Sequence, residues 1–175
     1  MKKKSVAQAT SKPTGAKKYW LFKSEPGAYS ILDLERDGST FWDGIRNYQA
    51  RNFLRDQVQV GDEVLFYHSN AEPMAIMGHM KVTRAGYSDH TAFDKQSCHF
   101  DPDSSPDDPT WYMVDVAFVA RFPNPVDRDR LRAEPLLRDM MVMQKGSRLS
   151  IQPVTSKEWQ TVLRLGSVKP SKSEK

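Results

Sequence analysis

The chain has 175 residues, with 26 basic and 22 acidic side chains and one cysteine. That length suits about one domain with a core of its own, and no apolar run approaches the roughly 20 residues that span a bilayer. Cys98, alone, excludes an internal disulfide and a thiolate-rich zinc site.

The net charge of +4 divides unevenly. Residues 1–18 hold six lysines and no acid, and 167–175 hold three lysines and Glu174. The stretch 19–166 is therefore left with 17 basic and 21 acidic side chains. A body with that balance is unsuited to coating duplex DNA by broad neutralisation of phosphates. Nucleic-acid contacts, where they exist, should be local and made by arginines. The basic arm 1–18 and the tail 167–175 lack apolar periodicity and read as disordered. The segment 19–166 reads as the folded domain. The setting expected is a soluble protein in a reducing compartment: cytoplasm in a bacterium, nucleus in a eukaryote.

Taken in chain order, YWLFK at 19–23 predicts the first strand. Ser30 caps a short helix with Ile31 and Leu34 inward and Gly38 at its end. A second helix opens at Arg46 or Asn47, with Tyr48, Ala50, Phe53 and Leu54 as its apolar face, and Trp42 lies in a loop before it. Residues 58–62 turn into a strand at 63–68. A long strand follows at 74–82, with Gly78 marking a bulge or a close backbone approach. DPDSSPDD at 101–108 is an acidic loop with nothing to pack. The alternation at 111–121 is the clearest strand in the chain. Short helical turns surround Pro135, a strand at 148–151 stops before Pro153, and a capping box at 155–158 opens a helix carrying Trp159, Val162 and Leu163. Five or six strands without regular βαβ alternation predict an α+β fold, a small mixed barrel-like sheet with short peripheral helices.

Two strings concentrate polar groups among aromatics: FWDGIRNYQARNFL at 41–54 and FYHSN at 66–70. A buried amide or guanidinium without a partner costs about 1–3 kcal/mol, so a core gains nothing from that mixture. A pocket for a flat polar ligand does, because rings supply faces to stack on and amides or hydroxyls read the edge. A nucleobase is the commonest ligand of this kind. His79, His90 and His99 have no metal-ligand spacing, and no metal or other cofactor is expected.

The strings YWLFKSEP, WDGIRNYQARNFL, GDEVLFYHSN and RLSIQPV, in this order, closely resemble the EVE domain family. The resemblance runs from about residue 19 to 165. It implies a PUA-like fold, kinship with YTH and ASCH modules, and the binding of modified bases in DNA or RNA. On that basis the expected ligand-binding residues are Lys23, Ser24, Trp42, Asp43, Arg46, Asn47, Tyr67, His68, Ser69, Arg148 and Ser150. Trp42 and Tyr67 would flank a single-stranded or flipped-out base. Ser24 and Asn47 would read its edge, although Asn47 serves equally as a helix cap. Arg46 or Arg148 would take phosphate, and Arg148 with Ser150 shares one face of the last strand. Glu25 is expected in a salt bridge and Asn52 in a structural role. The runner-up is a base-modifying or hydrolytic enzyme that uses His68 with Asp43 and Ser24 or Ser69. No nucleophile elbow or zinc-deaminase signature supports it, so a binding module without catalysis is the expected class.

Overall fold

The computed structural model describes residues 15–167. Six strands form one mixed sheet in the order β2-β5-β4-β3-β1-β6: β1 (Tyr19–Ser24), β2 (Ser39–Trp42), β3 (Glu63–His68), β4 (Ala75–Ser88), β5 (Tyr112–Asp127) and β6 (Ile151–Val154). Four helices surround it: α1 (Ile31–Asp37), α2 (Tyr48–Asp56), α3 (Arg128–Ala133) and α4 (Ser156–Ser167). β2 and β6 stand at the two ends of this order, and no pairing joins them among the described residues. The hydrogen-bonded unit is thus an open mixed sheet. Among the described residues no helix is long and apolar enough to cross a membrane.

The apolar runs of β1 and β3 follow from their place at the centre of the sheet. They pair in parallel, from Tyr19 opposite Glu63 to Ser24 opposite His68, and both faces of each are covered. Strands buried on two sides carry continuous rather than alternating hydrophobes. Trp20, Phe22, Val64 and Phe66 face one core with Met80, Val82, Val114 and Val116. Leu21, Leu65 and Tyr67 face the other, against Val126, Leu131, Trp159 and Val162. The helices close these faces through their caps. Ser30 and Asp33 form a capping box at α1, where a serine hydroxyl and a first-turn acid satisfy two free backbone donors. The Thr155 hydroxyl and the Glu158 carboxylate do the same at α4.

Several details depart from the sequence-based expectation. Residues 39–42 form β2, antiparallel to β5, and Trp42 is its last residue, not part of a loop. β4 runs to Ser88, well beyond 82. The last strand is Ile151–Val154 and contains Pro153, which an edge strand tolerates because the missing N–H faces outward. Gly78 is a close approach, as expected: a Cβ there would lie 2.3 Å from the Ala120 carbonyl oxygen, and the ladders on both sides shift register beside it. The arm expected to be disordered through residue 18 is anchored at its end, where Lys17 pairs with Glu63 at 2.9 Å and the Lys18 N–H donates to Asp62 at 3.0 Å. The rest of the arm and nearly all of the tail lie outside the described residues.

Candidate functional site

At the ends of β1 and β2 the sheet opens into a cavity of about 600 Å³. Its lining comes from four segments: Lys23 to Tyr29 at the end of β1 and beyond it, Thr40 to Ile45 along β2 and its exit, and two later loops that supply His99 and Ser150. Trp42 is 7% exposed and forms the rear wall. Phe22 packs on it with ring centroids 5.5 Å apart, and Phe66 meets it edge-on at 5.4 Å. The indole is thus held from behind in one position. Its N–H donates to no described residue, whereas Trp20 donates to Asp62 at 2.9 Å and Trp111 to Asp101 at 2.6 Å.

Ser24 stands at the cavity edge with its hydroxyl donating to the Tyr29 carbonyl at 2.7 Å. That bond ties the chain after β1 back onto the strand and leaves the serine oxygen free to accept. Asp43 and Glu25 add carboxylates to the lining. Glu25 makes no ion pair among the described residues, contrary to the salt bridge expected of it. Lys23 borders the cavity but sends its ammonium to the Ser147 carbonyl at 3.1 Å. Burial, and secondarily Arg128, lowers its pKa.

His99 also lines the cavity, a residue the sequence does not mark for it. Its ring lies against Gly44, where a Cβ would sit 2.5 Å from His99 Cε1, and Gly44 has φ +72. Only glycine meets both demands without strain. His99 Nδ1 is 3.5 Å from the Asp43 carboxylate. The loop carrying His99 is pinned by Arg46, which donates to the His99 carbonyl at 2.5 and 3.1 Å and to Asp89 at 2.8 Å. Asp89 is fully buried. Burial alone would push its carboxyl up, but donors from Arg46, Thr91 and Gly44 outweigh that and hold it below the usual carboxylate range. The sequence offered one signal for this wall: a glycine beside a tryptophan and an aspartate, a position where another part of the chain can approach the backbone. The neighbouring acidic loop packs after all, since Asp101 accepts the Trp111 indole and Ser104 is buried.

Of the residues singled out from sequence, Lys23, Ser24, Trp42, Asp43 and Ser150 come together around the cavity. The others do not line it. Tyr67 points into the opposite core, 1% exposed, and its hydroxyl is buried without a partner. Strand parity is the reason: Tyr67 shares a face with Leu65, and Trp42 belongs with Phe66. The two-ring clamp of Trp42 and Tyr67 is therefore not formed. His68 is also buried, and its Nε2 accepts the Ile31 N–H at 3.1 Å. It orients the start of α1, and burial lowers its pKa. A base at His68 acting on a ligand in this cavity has no support in that geometry. Asn47 is the helix cap, accepting from the Ala50 N–H at 3.0 Å. Asn52 accepts from Arg51, a structural role. Arg46 serves the His99 loop instead of facing the cavity, Ser69 extends the β1–β3 ladder by donating to the Ser24 carbonyl at 3.0 Å, and Arg148 is exposed in the loop before β6. Among the described residues no group of three or more His, Cys, Asp or Glu could hold a metal ion.

Comparison with known proteins places this arrangement in a family. The model of the EVE domain matches residues 18–165. Human thymocyte nuclear protein 1 is 42% identical over 173 residues, covering 87% of this chain and 76% of that protein. A crystal structure of a Pseudomonas putida protein superposes with a TM-score of 0.81 at 47% identity, over 85% of this chain and 99% of that one. The human THYN1 protein, crystallised in complex with DNA containing 5-methylcytosine, superposes with a TM-score of 0.80 at 41% identity, over 87% of this chain and 99% of that one. By sequence and by fold, this chain belongs to the EVE domain family.

Proposed function

We propose that the chain is a non-catalytic reader of nucleic acid that takes a single modified base into the cavity lined by Trp42. The observation that carries this reading is the cavity itself, whose 600 Å³ lies within the roughly 300–1,000 Å³ of small-ligand sites. Its lining includes a braced indole with an unpaired N–H and an imidazole lying against a glycine backbone. This replaces the clamp expected from Trp42 and Tyr67 with one made by Trp42 and His99. The lining is rich in acceptors: the Ser24 hydroxyl oxygen and the Asp43 and Glu25 carboxylates. Acceptors suit a base with an exocyclic amine, because a carboxylate pairs with the amino group of cytosine. A relative bound to 5-methylcytosine DNA supports the same ligand class. Closure of the sheet into a barrel, as in PUA-like folds, and nuclear residence in a eukaryote belong to this reading.

Extruding a base from a duplex costs a few kcal/mol, so single strands and weakly paired sites are preferred. The test is titration of tryptophan fluorescence with single-stranded oligonucleotides carrying cytosine, 5-methylcytosine, adenine or N6-methyladenine. A preference for one modified base supports the reading, and equal, negligible binding of all four overturns it. Mass analysis of the oligonucleotide after long incubation at high protein concentration should show every base unchanged. Turnover would favour the enzyme alternative, with His99 and Asp43 as its residues in place of His68.

A further inference from the structure

Next to the cavity, two contacting aromatic rings, Trp111 and Tyr48, are flanked by the guanidinium groups of Arg46 and Arg51. Arg46, whose donors hold the His99 wall, lies 5.3 Å from the Trp111 ring centroid. Tyr48 packs on Trp111 with centroids 5.1 Å apart and planes inclined by 31°. The Arg51 guanidinium carbon lies 5.0 Å from the Tyr48 ring centroid, and Arg51 is fixed by donating to the Thr110 carbonyl at 2.8 Å. One turn on along α2, Arg55 lies 5.9 Å from the Tyr112 ring. Tyr48 was expected on the apolar face of α2, but Ala50 and Leu54 fill that face and Tyr48 is 63% exposed. Its hydroxyl makes no hydrogen bond among the described residues. A large ring that touches a buried tryptophan and an arginine and still keeps most of its surface in solvent has no packing role that needs its exposure.

We propose that Tyr48 and Arg51 form a second subsite, outside the cavity, that holds a nucleotide flanking the captured base. The inference rests on the pocket reading, since it places the rest of the strand whose one base enters the cavity. Tyr48 supplies a stacking face already fixed in orientation, which lowers the ordering cost of binding. Arg51 supplies charge to the adjacent phosphate. Its Nη1 is engaged with the Thr110 carbonyl and its Nε with Asn52, and Nη2 makes no hydrogen bond among the described residues. The acidic loop after His99 abuts this cluster through Thr110, whose N–H donates to Ser104 at 3.0 Å. The exposed carboxylates of Asp103, Asp107 and Asp108 repel phosphate on that side. The strand is therefore directed along α2 toward Arg55. Arg55 is paired with Asp56 in an exposed contact that exchanges readily for a phosphate.

The test compares two probes. One is 5-methyldeoxycytidine monophosphate, which reaches only the cavity, and the other is a single strand of about nine nucleotides with one central 5-methylcytosine. Tyr48→Ala should weaken strand binding by about tenfold or more while leaving monophosphate binding as in the wild type. Tyr48→Phe should restore strand binding, which separates stacking from any role of the hydroxyl. Arg51→Gln should lower the salt dependence of strand binding by about one phosphate contact. If Tyr48→Ala binds the strand as tightly as wild type while both probes still bind, the subsite is wrong and the pocket stands. If neither probe binds the wild-type protein, both proposals fall.

Discussion

The two faces of the sheet are built from alternate residues of the same central strands, yet one is sealed and the other opens at the ends of β1 and β2. On the sealed face Leu21, Leu65 and Tyr67 disappear beneath α3 and α4, and even a tyrosine hydroxyl is buried there without a partner. On the open face the apolar residues stop at Phe22 and Phe66, and the next pair, Ser24 opposite His68, is polar. Both of these residues hold the turn before α1: Ser24 through the Tyr29 carbonyl, His68 through the Ile31 N–H. The cavity opens beside this point, where polar side chains at the strand ends hold the chain that leads from β1 into α1. One residue of parity separates a filled core from a site.

Substitutions on the two faces should separate stability from binding. The largest effect is expected from Trp42→Ala, which removes a ring packed on Phe22 and Phe66. It should cost about 3–5 kcal/mol in urea denaturation and abolish base binding together. Next comes Arg46→Ala, which strands the fully buried Asp89 carboxylate. A loss of about 3 kcal/mol is expected, with the His99 loop released. Gly44→Ala sharpens the comparison further. It should cost about 1–2 kcal/mol from left-handed backbone strain and weaken binding beyond what that predicts, because the new methyl displaces His99.

The counterpart on the sealed face is Tyr67→Phe. It deletes an unsatisfied buried hydroxyl and should stabilise the protein by about 1 kcal/mol while leaving binding unchanged. A loss of binding in this variant would mean that the two faces are not independent. The smallest effect is a pH dependence. His68 has a pKa lowered by burial, so below about pH 6.5 the unfolded chain takes up a proton that the folded chain refuses. Stability should be fully present above that pH and decline below it, and His68→Gln should remove this part of the decline.

Much of the fold was legible because local signals and global demands agree in it. The cap at Ser30, the capping box at Thr155 and the turn into β3 all rest on chemistry that a few neighbouring residues determine. The site was less legible, for reasons of parity and long-range approach. The sequence showed that aromatics and polar groups were concentrated at 41–54 and 66–70, but not on which side of each strand they fell. Asp43-Gly44 after Trp42 reads as a loop, and pairing of β2 with β5 overrides that signal. Tyr67 adjoins the right kinds of residue and still points into the opposite core, and His68, on the open face, is occupied by the Ile31 N–H. His99 reaches the cavity from a segment between β4 and β5 whose path is set by a buried Arg46–Asp89 pair, and no spacing along the chain reports such a contact.

The most direct test follows the indole N–H signals of the four tryptophans by NMR during titration with a single strand containing 5-methylcytosine. Trp42, whose ring lines the cavity and whose N–H is unpaired among the described residues, should shift at saturation. Trp20, bonded to Asp62, and Trp159, packed on the sealed face, should stay in place. Binding that moves other signals and leaves that of Trp42 unchanged would contradict the account.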